Sequence, residues 1–186
     1  MNKRLLSLAV TVVAILATAF GQTSFSEATT LYLLHSSGNH IECGSDDGGW
    51  IEAPTKGSPQ QMTLTPAGQG YYTIQVAGQQ KYLSLAGQWN SKFIASATGD
   101  EAKWAIEQGM GQYVKLRCKA NDKYLGTDSN DAHQKVFTDK SGSDMKHQWY
   151  FSNNVRETPP TDTLSYMVAP QVVRQHFDGW GVSLCW

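Results

Sequence analysis

The chain has 186 residues, 15 Lys plus Arg against 16 Asp plus Glu, and a formal net charge of −1. That length excludes a complete (β/α)8 enzyme barrel, which needs about 250 residues, and the balanced charge argues against a protein built to neutralise nucleic-acid phosphates. Hydrophobic residues at 40% allow a packed core, and six Trp must sit either in that core or on a ligand face.

The first segment reads as an address. Lys3 and Arg4 precede an apolar run from Leu5 to about Ala17, and small residues follow at Ala17, Ala19 and Gly21. This is the layout of a secretory signal peptide over residues 1–21, and the run is short of the ~20 residues a spanning helix needs. No Cys stands near the cleavage zone, so a lipid anchor is not indicated. The expected destination is secreted or periplasmic, with no membrane contact after cleavage. Cys43, Cys118 and Cys185 make an odd count, which cannot be a closed disulfide framework. Cys43 and Cys118 are either bridged or two small buried apolar side chains, and the lack of any spacing pattern favours the second. No Cys/His spacing resembles a zinc site.

From about residue 30 a threefold pattern begins. Lys81-Tyr82-Leu83 recurs as Lys123-Tyr124-Leu125, forty-two positions on, and Ile41 stands forty-two before Leu83. Each follows an alternating stretch: Leu31-Tyr32-Leu33, Tyr72–Val76 and Tyr113–Leu116. Each precedes a short apolar run: Trp50-Ile51, Phe93-Ile94 and Val136-Phe137. Each unit closes on a large side chain, Met62, Trp104 or Trp149, in a strand-like segment. Period-2 alternation with Gly, Asn and Asp punctuation predicts four short strands per unit, and no stretch shows a sustained helical period. One such unit cannot bury its apolar face, whereas three can share a core and remove sheet edges. Trp104 and Trp149 occupy the repeating core position.

Three four-stranded units of about 40 residues over 30–152 resemble a β-trefoil of the ricin-B or fascin-like branch. The expected fold class is therefore all-β. A propeller is the other architecture considered, but three blades are too few. The resemblance implies shallow sugar pockets, one per unit, each with an aromatic face and a carboxylate or amide. The loops between second and third strands supply Glu42, Asp46, Asp47 and Trp50; then Gln88, Trp89 and Asn90; then Asp128, Asn130, Asp131 and His133. Trp50 reads equally as core or as ligand face. Trp89 has no strand pattern around it and is the preferred exposed aromatic. The loop Ser45–Gly48 reads either as a solvated turn or as part of a site. Its Asp pair lacks a twelve-residue EF-hand loop. Two departures separate the chain from ricin-type lectins. Glu42, Ser84 and Gly126 replace their Asp, and Gln-x-Trp is degenerate.

Residues 153–165 are polar and contain Pro159-Pro160, as in an interdomain linker. From residue 166 apolar character returns, ending in His176–Trp186, HFDGWGVSLCW. Phe177, Gly179, Trp180, Gly181, Ser183, Leu184, Cys185 and Trp186 are similar to the opening of the catalytic domain of glycoside hydrolase family 30, particularly its secreted endo-β-1,6-galactanase-like members. The resemblance implies that residues 166–186 begin a β-sandwich and (β/α)8 barrel, that Trp186 touches substrate, and that the two catalytic Glu residues lie beyond residue 186. The chain alone is therefore expected not to hydrolyse anything. A carbohydrate-binding module that targets a glycan such as β-1,6-galactan is the favoured function. A stand-alone secreted lectin and a trefoil scaffold or inhibitor are the alternatives. A polysaccharide or glycan is the expected partner, with no metal, no organic cofactor and a monomeric chain.

Overall fold

A computed structural model describes residues 24–156. The signal-peptide expectation, most of the linker, the barrel-start expectation and Trp186 lie outside them. Within them, all twelve expected strands form where alternation places them. The first unit contains β1 (Thr29–His35), β2 (His40–Cys43), β3 (Gly49–Glu52) and β4 (Met62–Pro66). The second contains β5 (Tyr71–Val76), β6 (Lys81–Ala86), β7 (Asn90–Ala95) and β8 (Lys103–Gln108). The third contains β9 (Val114–Cys118), β10 (Tyr124–Thr127), β11 (Gln134–Lys140) and β12 (Trp149–Ser152).

Six strands close into an antiparallel barrel. β1 pairs with β4 and β12, β5 with β4 and β8, and β9 with β8 and β12. Hairpins β2–β3, β6–β7 and β10–β11 cap one end. In the cap β11 pairs with β3 and β7, and a bridge between Gly48 and Lys92 joins the first two hairpins. Closure leaves no open edge in the barrel, which answers the edge problem of short strands. The turns that lead from β1 to β2, from β5 to β6 and from β9 to β10 use left-handed backbone at Gly38, Gly78 and Asp122.

The core sits between barrel and cap. Alternate residues Leu33, Ile41, Ile51, Leu64, Ile74, Leu83, Phe93, Leu116 and Leu125 point into it and are buried. Met62, Trp104 and Trp149 are fully buried at equivalent places. Trp104 Nε1–H donates to the Leu83 carbonyl (2.8 Å) and Trp149 Nε1–H to the Leu125 carbonyl (3.0 Å). The repeated Trp is thus both packing and clasp, tying the fourth strand of a unit to its second. Met62 fills the same volume without the donor. Cys118 is buried, Cys43 is partly exposed, and both thiols are free, so the bridged alternative does not occur.

His35, at the end of β1, is completely buried. Its Nδ1 meets the Ser37 hydroxyl (2.9 Å), its Nε2 meets the Lys146 carbonyl (3.2 Å), and its ring packs edge-on against Trp149. Burial lowers its pKa from 6.5 to about 4, and the Lys146 carbonyl only partly offsets this. The folded state therefore holds His35 neutral where the unfolded chain protonates it. Its contribution to stability is complete above pH 6.5 and is lost as pH falls towards 4. The expected loss across that window is about 3 kcal/mol. Urea unfolding at pH 7 and pH 4.5 measures it. His35→Gln should flatten the pH dependence, and an unchanged slope in that variant would refute the assignment.

Candidate functional site

The period of two along β2 and β3 places Ile41 and Ile51 inward and turns His40, Glu42, Trp50 and Glu52 to the opposite face. In the register, Glu42 stands opposite Trp50 and His40 opposite Glu52. Strand β11 extends the same face, with Lys135 opposite Trp50 on its other side. The residue before β11, His133, donates its backbone N–H to the Ile51 carbonyl (2.7 Å). Side chains from the first and third units therefore converge. They line a cavity of about 250 Å3 formed by Glu42, Gly44, Ser45, Asp46, Trp50, Glu52 and His133.

Trp50 and His133 make its aromatic wall, stacked with ring centroids 4.9 Å apart and planes 24° from parallel. Glu52, only 7% exposed, accepts a hydrogen bond on Oε1 from the Nδ1–H of His133. Glu42 Oε2 accepts from the Ser58 backbone N–H (3.1 Å) and lies 3.4 Å from His40 Nε2. His40 is fully buried, and neither ring nitrogen has a hydrogen-bond partner among the described residues. Burial lowers its pKa, opposed by Glu42 and then Glu52.

The Ser45–Gly48 loop is an ordered part of the site. Asp46 Oδ1 accepts from the indole N–H of Trp50 (3.1 Å) and from the Gly48 backbone N–H (3.0 Å). These donors, that of Trp50 first, bring its carboxyl pKa down to about 2. Asp47 adopts a left-handed backbone (φ 57°), pairs with Lys81 (2.6 Å), and accepts from the Phe93 backbone N–H (2.7 Å). At Gly44 a Cβ would sit 2.6 Å from Trp50 Cδ1, so the indole leans where only glycine leaves room. Lys135 Nζ lies 5.0 Å from the Trp50 ring centroid and 3.4 Å from Asp46 Oδ2.

Glu42, Asp46, Trp50 and His133 therefore meet in one place, although His133 comes from the third unit. The other residues singled out in the sequence do not join them. Trp89 is exposed (51%) beside β7 and lines neither cavity, while Asn90 lines a second cavity with Asp46, Ser91, Lys92 and Lys135. Asp128 and Asn130 lie exposed between β10 and β11, and the Asn130 carbonyl accepts from the Asn39 amide (3.3 Å). The site is not repeated. By pairing register, Ser84 and Gly126 stand where Glu42 does, and Lys92 and Phe137 where Trp50 does. Sequence reasoning missed Glu52, His40 and Lys135. The alternation Trp50-Ile51-Glu52 carried the signal for Glu52. His40 and Lys135 needed the cross-strand register. Among the described residues no group of three or more His, Cys, Asp or Glu side chains is placed to hold a metal ion.

A six-stranded antiparallel barrel capped by three hairpins about a pseudo-threefold axis is a β-trefoil, and that is the class the fold defines. No family model and no curated protein matches the chain. Among solved structures it is similar to the designed threefold-symmetric protein ThreeFoil, with 22% identity, a TM-score of 0.58, and coverage of 66% of this chain and 97% of that one. It is also similar to the Polyporus squamosus lectin bound to the epitope Neu5Aca2-6Galb1-4GlcNAc (17%, TM-score 0.56, 69% of this chain and 50% of the lectin). A third similar structure is an exo-β-1,3-galactanase from Clostridium thermocellum (16%, TM-score 0.57, 67% of this chain and 30% of the enzyme). The chain thus spans about half of the lectin and under a third of the galactanase, and at these identities the likeness carries the fold.

Proposed function

We propose that residues 24–156 form a glycan-binding module whose working site is the cavity of Trp50 and His133. The observation that carries the reading is the aromatic wall beside two carboxylates, Glu42 and Glu52, each with one oxygen unpartnered among the described residues. A sugar offers an apolar C–H face to an aromatic and hydroxyl donors to such acceptors. Two proteins of similar fold, a lectin and a galactanase, support the class of ligand. Because the second and third units lack the constellation, the module binds one glycan, without the avidity that three pockets would provide.

The finer reading is an exported module that holds a polysaccharide-degrading enzyme on its substrate. It is supported by the resemblance of residues 1–21 to a signal peptide and of His176–Trp186 to a glycoside hydrolase opening. β-1,6-Galactan is the first polysaccharide to test on that ground. The experiment is a glycan array followed by titration of Trp fluorescence with each hit. Saturable binding at one glycan per chain is expected, retained in Trp89→Ala. Absence of binding to any glycan, or equal loss in Trp89→Ala and Trp50→Ala, would overturn the assignment.

A further inference from the structure

The side chains around the cavity present mainly acceptors. The Trp50 indole N–H is spent on Asp46, and Asp46 is satisfied by that bond, by Gly48 and by Lys135. Glu42 and Glu52, by contrast, face histidines and pair with no Lys or Arg among the described residues: Glu42 Oε2 lies 3.4 Å from His40 Nε2, and Glu52 Oε1 accepts from His133 Nδ1. Glu42 Oε1 and Glu52 Oε2 have no partner among the described residues, and Glu52 is more than nine-tenths buried while lining the cavity. Neither of these oxygens is among the buried atoms without a partner, so both open onto the cavity, where a cation could make charge-assisted contacts with two carboxylates at once. The neighbouring His40 is fully buried, and burial disfavours its charged form. The chain also displays what an ammonium does on this surface. Lys135 Nζ lies over the Trp50 ring and against Asp46, combining cation–π attraction with an ion pair.

We propose that this cavity selects a glycan bearing a protonated amine, a hexosamine without its N-acetyl group, over neutral and acidic sugars. The inference rests on the glycan reading of the same cavity and names the sugar class within it. The ammonium would sit between Glu42 Oε1 and Glu52 Oε2 while the sugar ring lies along the Trp50–His133 wall. Replacing the amine by an acetamide exchanges a charge-assisted hydrogen bond for a neutral one. A uronic acid would place its carboxylate against two others.

Calorimetric titration of the whole chain with three oligosaccharides tests this: one of β-linked glucosamine, its fully N-acetylated counterpart, and one of galacturonic acid. The glucosamine oligomer is expected to bind about tenfold more tightly than the acetylated one at pH 6 and low salt. That advantage should shrink as salt is raised, and the galacturonate should not bind. In Glu52→Gln, with folding checked by its melting curve, the ratio of the two affinities should fall towards one. If that variant does not fold, the salt dependence of the ratio in the native chain decides. Equal affinity for amine and acetamide, or a ratio indifferent to salt, overturns the amine selection while leaving the glycan reading intact. Binding of none of these oligosaccharides, nor of any glycan on the array, overturns both.

Discussion

Trp50→Ala should weaken glycan binding about thirtyfold or more while leaving the fold in place. The size follows from the place of Trp50 in the aromatic wall of the cavity, since truncating an aromatic anchor costs about 2 kcal/mol or more. Three features of the site collapse together. His133 loses its stacking partner, Asp46 loses the indole donor, and the Lys135 ammonium loses the ring beneath it. The structural cost is smaller because the indole stands on the outer face of β3, opposite the core residue Ile51. An exposed aromatic pair contributes about 0.5–1.5 kcal/mol. Calorimetric titration alongside a melting curve separates the two effects. A variant that melts normally and binds like the native chain would remove Trp50 from the site.

Trp149→Ala should destabilise the chain by about 3–5 kcal/mol, the range for emptying a buried large aromatic site. Against a total of roughly 5–15 kcal/mol for a domain, that is a large share. Two physical causes add. The indole is fully buried among core residues, and its N–H is the donor to the Leu125 carbonyl. Trp149→Phe separates them: it keeps most of the apolar volume but leaves the carbonyl unpaired, at about 1–3 kcal/mol. Met62→Leu is the matched control. Met62 holds the corresponding place in the first unit without a donor, so a near-isosteric change there should cost under about 1.5 kcal/mol. Urea unfolding of the three variants gives the values. A Trp149→Phe variant as stable as the native chain would show that the clasp contributes nothing.

The strands were legible from alternation in some, as in Tyr71–Val76, from short apolar or aromatic runs in others, as in Phe93-Ile94 and Trp149-Tyr150-Phe151, and from the recurrence of Leu83, Leu125, Trp104 and Trp149 at spacings that a repeated unit explains. The exposure of Trp89 was legible too, from the polar residues around it. Its side chain lines neither of the two cavities described. The sequence grouped His133 with Asp128 and Asn130, its neighbours along the chain. The fold groups it with Trp50 and Glu52, eighty-odd positions earlier, because β11 pairs with β3 across the pseudo-threefold axis. The third hairpin also departs from the repeat. Leu125 pairs with Thr138, whereas Leu83 pairs with Phe93, so the 42-residue spacing does not carry through β11.

Local pattern by itself determined the strand content, the threefold unit, the turns and the inward positions, because alternation and turn chemistry act over a few neighbouring residues. Only the tertiary structure decided where a ligand can sit. The cavity forms from the pairing of strands from different units, and a one-residue change in that register would turn Lys135 to the other face. Which carboxylate oxygens stay open to the cavity is likewise a property of three-dimensional neighbours, which no spacing along the chain records.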